Sequence, residues 1–576
     1  MKIFVRQFKL LFTISKRYFL LVVFVELFIS LLPIFNIYIL QTIFKFINVD
    51  RFSDTLYFLV FLYIGVCILT IFLGRLIEYI SAKYLILVEN YLINTVLLNT
   101  EKLTLEEFEC PKEQNRIRRV VNKALDLFVS IFSICLIFFS NTIIFISSIV
   151  YLLQIDLWIT VVIVILPLIL IKKQQVVLNK KYEYDLKQTS KRKENWYITY
   201  TLTQSNAFQE NKVNKYSILL VKKILDNNIS FMRDKVFLFY YSLKKTFLWE
   251  ICLDIFPMVA LLIYFKNELF SLPSLIVFLQ LINKIVDSEK SIVSSLNELG
   301  NQKFYLFELF NHFDRYICCK ENYEETFEIN IIELKNITYY KNKKIILSDV
   351  CLNMKKGNIY FIVGKNGSGK STLSKVILGL YEKYTGVIIL NQKYNIEEYG
   401  LNDYRSKCSV FFQDFYRFET TFKENIQFSE PLQELDICKV QKSIDELLFK
   451  EKFDEFPLGM ETILGTWFEN GVNLSGGEWQ KVSLLRCLNK NADIYLLDEP
   501  ISMLDTYTSI KVIQRLRELA KTKLVIIILH DYKFIKNSDN VIYINNGIVK
   551  QGLHRQLFET ILDYRNLVGK RKEKDI

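Results

Sequence analysis

Glycine is scarce in the first 350 residues of this 576-residue chain: of 18 glycines, only Gly65, Gly74 and Gly300 precede that point. Tight turns and close backbone approaches are therefore expected in the second half. Histidine is scarcer still, with only His312, His530 and His554. The ten cysteines are scattered, with one adjacent pair, Cys318-Cys319, and no C-x-x-C spacing. No zinc pattern is present, no disulfide framework is expected, and structural filler is the default for all ten. A basic patch joined to a nucleic-acid recognition module is also missing, despite a net charge of +12, so no nucleic-acid partner is expected. What abounds is apolar surface: 51% of residues are hydrophobic and the mean hydropathy is +0.20. The chain is too long for one core, so at least two domains are expected.

Six apolar segments approach or exceed the roughly 20 residues a membrane helix needs. They lie near 18–44, 55–80, 127–151, 154–171, 246–265 and 268–290, the last interrupted by Lys284, Asp287 and Glu289. Lys2, Arg6, Lys9, Lys16 and Arg17 precede the first, yet it is no signal peptide. Its apolar run far exceeds an h-region, and no small-x-small cleavage site ends it. Residues 1–17 read as an amphipathic lead-in on the inner membrane surface. The short links after segments one, three and five hold only Lys45, Arg51 and Lys266 as bases, whereas the long links, 81–126 and 172–245, are rich in Lys and Arg. The positive-inside rule then puts the long links, both termini and the second half in the cytoplasm. The positive net charge suits a face against anionic lipid. The expected organisation is an all-α six-helix membrane domain over 1–305, a linker over 306–327 and an α/β domain over 328–576.

The second domain opens with strand-like runs, EINIIELKNITYY and IILSDVCLNM. An apolar strand, Ile359 to Val363, then runs into Gly364-Lys365-Asn366-Gly367-Ser368-Gly369-Lys370-Ser371-Thr372, and an amphipathic helix follows. This is the G-x-x-x-x-G-K-[ST] phosphate loop in the strand–loop–helix context it requires. Its glycines let backbone N–H groups curl around phosphates, and the helix N-terminus adds its dipole. Lys370 is placed for the β- and γ-phosphates, and Ser371 for a Mg²⁺ oxygen. A dinucleotide fold is excluded, because Gly367-x-Gly369 lacks the third glycine of G-x-G-x-x-G.

Further on, ADIYLLDEP delivers Asp498 and Glu499 at a strand's C-terminal end, where ligand-binding residues gather in open α/β sheets. Asp498 suits a Mg²⁺ shell and Glu499 suits polarising an attacking water. Alone, two acids at a strand end carry little; after a phosphate loop they carry much more. His530, ending the run Leu524–Leu529, is a polar strand cap by default and a γ-phosphate contact in this company. Gln413, in SVFFQD, gains meaning only from the same context. The stretch NLSGGEWQ, 473–480, opens a second helical run with a second glycine pair, although the phosphate loop is already complete.

In this order, Gly364–Ser371, Gln413, LSGGEWQ, Asp498-Glu499, SMLD at 502–505 and His530 resemble the motif set of the ATP-binding cassette (ABC) ATPases. The six-span domain before them resembles the exporter branch of that family, with both halves fused in one chain. The resemblance implies an ABC-exporter-type membrane domain plus a P-loop NTPase cassette that hydrolyses ATP to drive transport. It implies two cassettes meeting head to tail, each ATP lying between one chain's phosphate loop and the other's signature motif. Ser475, Gly476 and Gly477 would then contact the γ-phosphate held by Lys370 and Ser371 of the partner subunit. Ser475 also suits an N-cap. Gln413 would join the Mg²⁺ shell with Ser371 and Asp498, and would sense the membrane domain. Asp505 would belong to the loop crossing to the other cassette. Tyr340 is the candidate for stacking on adenine, with Tyr339 and Lys341 as competing positions. Residues 103–119 and 195–215 resemble the family's cytoplasmic loops with coupling helices, docking near Gln413. ATP and Mg²⁺ are the implied cofactors, and a second half-transporter, most simply an identical chain, the implied partner.

LGTWFENGVNLSGGEWQK and NWYITYTLTQSNAFQE resemble exporters of lantibiotics and related modified peptides, which implies a peptide cargo. No extension precedes the first span, so no leader-cleaving cysteine protease domain is expected. Glu26, Glu250 and Asp254 fall within apolar runs, where a charge costs about 2.5–3.5 kcal/mol at a helix centre. Glu250 and Asp254 share a helix face and would attract a cationic peptide, or else pair with Lys244, Lys245 or Arg75 or sit at the water boundary. A lipid or drug exporter of the same architecture is the alternative. A non-transporting, ATP-switched sensor is a third reading, against which the intact Glu499 and signature motif speak. Two departures stand out: Glu478 where the family has Gln, and Met503 where it has Ala. Neither removes a phosphate contact.

Overall fold

The computed structural model describes residues 2–49, 54–121, 125–153, 157–265, 272–314, 327–341, 343–430 and 435–572. The chain divides into two compact units, Met1–Leu103 with Pro111–Ile317, and Thr104–Cys110 with Cys318–Ile576.

The described part of the first unit is helical: α1 (Lys2–Ile14), α2 (Lys16–Val49), α3 (Asp54–Glu101), α5 (Pro111–Arg119), α6 (Leu125–Leu152), α7 (Leu157–Thr203), α8 (Ser205–Asn214), α9 (Ser217–Phe265) and α10 (Leu272–Asp314); α4 (Leu105–Glu109) clusters with the second unit. The six apolar segments fall on α2, α3, α6, α7, α9 and α10; residues 154–156 and 268–271 of two of them lie outside the described residues. Among the described residues, stretches of α2, α3 and α6 meet the length and hydropathy of a membrane span. The long links are mostly continuous helix rather than loop, because their Lys, Glu and Leu content favours helix and no glycine or proline interrupts α7 past Pro167 or the start of α9. The expected linker is likewise helical as far as Asp314, since Leu306, Leu309 and Phe310 bury one face of α10. Residues 315–326 lie outside the described residues.

A core of Leu11, Val22, Tyr84, Val88, Leu92, Phe128 and Phe132 joins α1, α2, α3 and α6. The amphipathic lead-in is thus a packed helix, tied down where the Tyr84 hydroxyl donates to the Leu11 carbonyl at 2.8 Å. Of the membrane acids, Glu26 accepts a 2.8 Å hydrogen bond from Ser140 Oγ. Glu250 is exposed, the Asp254 side chain lies outside the description, and Arg75 pairs with Glu78 at 2.9 Å.

The second unit carries two sheets. The first is antiparallel, in the order β2 (Lys344–Lys355), β1 (Ile331–Lys341), β4 (Tyr384–Leu390), β5 (Tyr394–Asn395). The second runs β10 (Ile548–Leu553), β9 (Asn540–Asn545), β3 (Ile359–Gly364), β8 (Leu524–Ile528), β7 (Ile494–Asp498), β6 (Cys408–Phe411). Strands β9, β3, β8, β7 and β6 are parallel, and β7 and β8 are buried at every position. Continuous apolar runs of this kind are what a sheet covered on both faces requires. The register sets Ile362 beside Ile528, Ile528 beside Asp498, and Leu497 beside Phe411. Four strands therefore deliver their C-terminal ends to one edge.

Candidate nucleotide site

That edge gathers most of the expected residues. β3 ends in the phosphate loop, and α11 (Lys370–Ile377) starts at Gly369, whose φ of 108° is a backbone state that a side chain would strain. Lys370 is buried, and its ammonium donates to the carbonyls of Gly364 at 2.9 Å and Lys365 at 3.1 Å. Burial pulls its pKa below the ordinary lysine value, opposed by Glu499 and Asp498. Ser371 Oγ donates to Asp498 Oδ2 at 3.3 Å. Burial pushes the Asp498 carboxyl up to about 6. Gln413 is exposed, two residues past the end of β6.

Glu499 follows β7 with φ 54°, in the left-handed region that a non-glycine residue rarely enters. One carboxylate oxygen lies 2.8 Å from His530 Nε2, and burial raises the Glu499 pKa while Lys370 lowers it. A pocket of 260 Å³ is lined by Glu499, Ser502, Thr506, Ser509 and His530 among others. Asp505 caps the next helix, Thr506–Ala520, accepting from the Thr508 amide at 2.9 Å.

Ser475 is the N-cap of the signature helix (Gly476–Asn489) in a full capping box: its hydroxyl accepts from the Glu478 amide at 3.3 Å, and its own amide donates to Glu478 Oε2 at 2.7 Å. The unusual Glu478 thus closes the helix start. Trp467 and Phe468 are exposed just upstream, on a loop where the Trp467 amide donates to Glu419 at 2.8 Å.

Of the three positions competing for adenine, Tyr339 is buried and stacked on Tyr381 at 4.9 Å. Lys341 is tied to Glu109 at 2.8 Å. Tyr340 presents a ring 52% exposed.

Three features were not expected from sequence. The first is the set of side chains that anchors α4. The Glu109 carboxylate receives Lys341 at 2.8 Å, Lys375 at 3.2 Å and the Tyr381 hydroxyl at 3.0 Å. Burial works to raise the Glu109 pKa, but these hydrogen bonds prevail and hold it below the ordinary value. Glu106 accepts from the amides of Glu382 and Lys383 at 3.1 and 3.2 Å. α4 thus docks on β1, α11 and the turn after it through these polar groups, and its Leu105 packs against the apolar core there.

The second is Arg486. Its guanidinium donates to Asn425 O at 2.9 Å, Asn425 Oδ1 at 2.7 Å and Tyr416 O at 3.3 Å, and lies over the Phe418 ring, 4.7 Å from its centroid. Burial pulls its pKa down to about 10. Because its hydrogen bonds go to three oxygen dipoles, Arg486→Ala strands three acceptors and should destabilise the cassette by about 3 kcal/mol. Its melting transition should fall by roughly 5–10 °C; an unchanged transition refutes the clamp. The third feature is Gln480, buried between the signature helix and the Glu499 loop.

A phosphate loop, two acids, a histidine and a signature helix on one parallel sheet define a P-loop ATPase cassette, fused here to a helical membrane domain. Residues 347–502 match the ABC transporter family. The chain is 26% identical to the subtilin transport ATP-binding protein of Bacillus subtilis, over 98% of this chain and 94% of that one. It is 26% identical to the nisin transport ATP-binding protein of Lactococcus lactis subsp. lactis, over 97% and 94%. An ATP-dependent lipid A-core flippase of Haemophilus influenzae is 32% identical, over 41% of this chain and 40% of that one. A solved bacterial Atm1-family ABC exporter with ATP bound shares the fold, with TM-score 0.82 at 16% identity over 96% of this chain and 99% of that one. The cassette is an ABC transporter domain, and the whole chain is similar to ABC exporters, which supports ATP hydrolysis coupled to transport by a membrane protein.

Proposed function

We propose that two identical copies of this chain export a cationic, lantibiotic-like peptide from the cytoplasm by alternating access, with both termini and the cassettes cytoplasmic. The observation that carries the cargo is coverage. The likeness to the subtilin and nisin transport proteins spans both halves, whereas the likeness to the flippase spans 41% of the chain. Cargo is chosen by the membrane half, so a match that includes it weighs more.

ATP binds on the phosphate loop, with Gly364, Asn366, Gly367, Ser368, Gly369 and Thr372 around the phosphates, Lys370 on the β- and γ-oxygens and Tyr340 against the base. Ser371, Asp498 and Gln413 offer hydroxyl, carboxylate and amide oxygens, the hard donors that suit Mg²⁺. When bound, the ion would neutralise phosphate charge. Glu499 takes the proton of the attacking water, and His530 orients Glu499 and the γ-phosphate. Ser475, Gly476 and Gly477 close on the nucleotide of the other cassette, with Asp505 at the crossing loop. ATP favours the closed pair over the open one, and that difference drives the membrane helices outward-open.

The test is purified protein in inverted proteoliposomes. A cationic lanthionine-containing peptide should raise ATP turnover and accumulate inside the vesicles. Stimulation by a glycolipid alone, with no peptide uptake, would overturn the cargo assignment and leave the exporter reading intact.

A further inference from the structure

We propose that Gln480 is a positioning residue that ties the signature helix to the Glu499 loop of the same cassette and thereby makes the two ATP sites of the dimer act together. This rests on the two-site reading above.

Gln480 is fully buried, so its amide donors and acceptor need partners inside the protein. Its Nε2 donates to the Glu499 carbonyl at 3.3 Å, and its Oε1 accepts from the Met503 amide at 2.9 Å. One side chain therefore brackets the loop Glu499-Pro500-Ile501-Ser502-Met503 at both ends. That loop is under strain, because Glu499 sits at φ 54°. Such a residue costs on the order of 1–3 kcal/mol and persists only where its surroundings impose it. The bracket supplies that constraint, helped by the Glu499 amide on Ile528 O at 3.1 Å and the Ser502 amide on Glu499 O at 3.3 Å.

A second contact joins the same elements. A Cβ on Gly477 would stand 2.9 Å from the Met503 carbonyl, and one on Gly476 would stand 3.3 Å from Met503 Sδ. The start of the signature helix thus lies directly on the loop. Gln480 follows Gly477 by three residues, about one turn further along the helix. Ser475–Gly477 face the nucleotide held by the other cassette, while Glu499 serves the nucleotide held by its own. One rigid helix connects them. When its first turn engages the distant ATP, any shift of the helix is passed through both amide hydrogen bonds to the Glu499 backbone. The carboxylate is carried on that backbone and moves with it against His530, 2.8 Å away. Binding at one site then sets the hydrolysis geometry at the other.

A buried glutamine could also be plain packing, and the two roles give different readouts. Full-length protein in nanodiscs carries Gln480→Glu or Gln480→Leu. ATP turnover is measured against Mg-ATP concentration, and nucleotide affinity is measured with a fluorescent ATP analogue. Gln480→Glu keeps size and the Oε1 acceptor but loses the donor to Glu499 O. It therefore tests the bracket even where Gln480→Leu fails to fold. Expected are analogue affinity within about threefold of wild type, kcat lower by about tenfold or more, and a Hill coefficient falling from about 1.5–2 towards 1. Wild-type cooperativity that survives in the variants overturns the proposal, whether or not kcat falls. Loss of nucleotide binding in both variants also overturns it, since Gln480 would then be packing. A wild-type chain that stays monomeric and shows no cooperativity marks the failure of the two-site reading instead.

Discussion

Glu499→Gln should cut ATP turnover about a thousandfold while ATP binding is retained. Glu499 sits one residue past β7 and is held 2.8 Å from His530 Nε2. Burial raises its pKa, so its carboxylate is a stronger proton acceptor than an exposed one would be. Glutamine keeps the volume and can still pair with His530, but it cannot take a proton from water. The hydrolytic step fails, and the ATP-filled pair of cassettes should accumulate. In proteoliposomes the variant should trap nucleotide at stoichiometric levels and move no cargo. Turnover above about a tenth of wild type would remove Glu499 from the role of base. The backbone predicts a related result. Glu499 occupies φ 54°, so a residue that widens or releases this turn should lower kcat even with the carboxylate intact.

Much of this site can be read from one sequence because its parts are short strands followed by a reactive group. Each of β3, β7 and β8 is a largely buried run of aliphatic and aromatic residues, and each hands over at its end to Gly364, Asp498 or the His530 turn. Hydropathy also marks the membrane helices, but only where they face lipid or core. It misses the polar continuations of α3, α7 and α9, because a helix rich in Lys and Glu looks like a loop on an apolar scale. The adenine position shows a different limit. In β1 the buried residues run Ile332, Leu334, then Ile337, Tyr339, so the alternation changes phase at Lys335-Asn336. A register shift lies there, and Asn336 has φ 52°. An extra residue of this kind flips every later side chain to the other face. Period-two reasoning therefore could not separate Tyr339 from Tyr340. Gln480 and Glu109 were invisible for a third reason. Their partners, Met503 and Lys375, are brought to them only by the folded chain, and nothing in the local pattern marks a glutamine as a bracket.

Glu109→Lys should separate ATP hydrolysis from transport. α4 follows α3 after only three residues, yet it clusters with the cassette. Leu105 packs on the apolar core, and two acids add polar anchors: Glu106 on two backbone amides, and Glu109 on Lys341, Lys375 and Tyr381. Lys375 lies on α11, four residues after Ser371, so the anchor and the phosphate loop share one short helix. The carboxylate is about one-third exposed, which weakens each ion pair by solvent screening. Charge reversal does more than remove them, since it sets a third ammonium against two others. The grip of α4 should be lost while the strand-end residues that hydrolyse ATP stay in place. Expected are ATP turnover within about threefold of wild type and peptide transport lower by roughly 10–100-fold. Adding Lys341→Glu to Glu109→Lys restores one attractive pair and should recover part of the transport. If transport and turnover fall together, Glu109 acts on the nucleotide site itself. If neither changes, α4 is held by Glu106 and the Leu105 packing without Glu109. Partial rescue by the charge swap, at constant turnover, is the result that only an electrostatic anchor between α4 and the cassette produces.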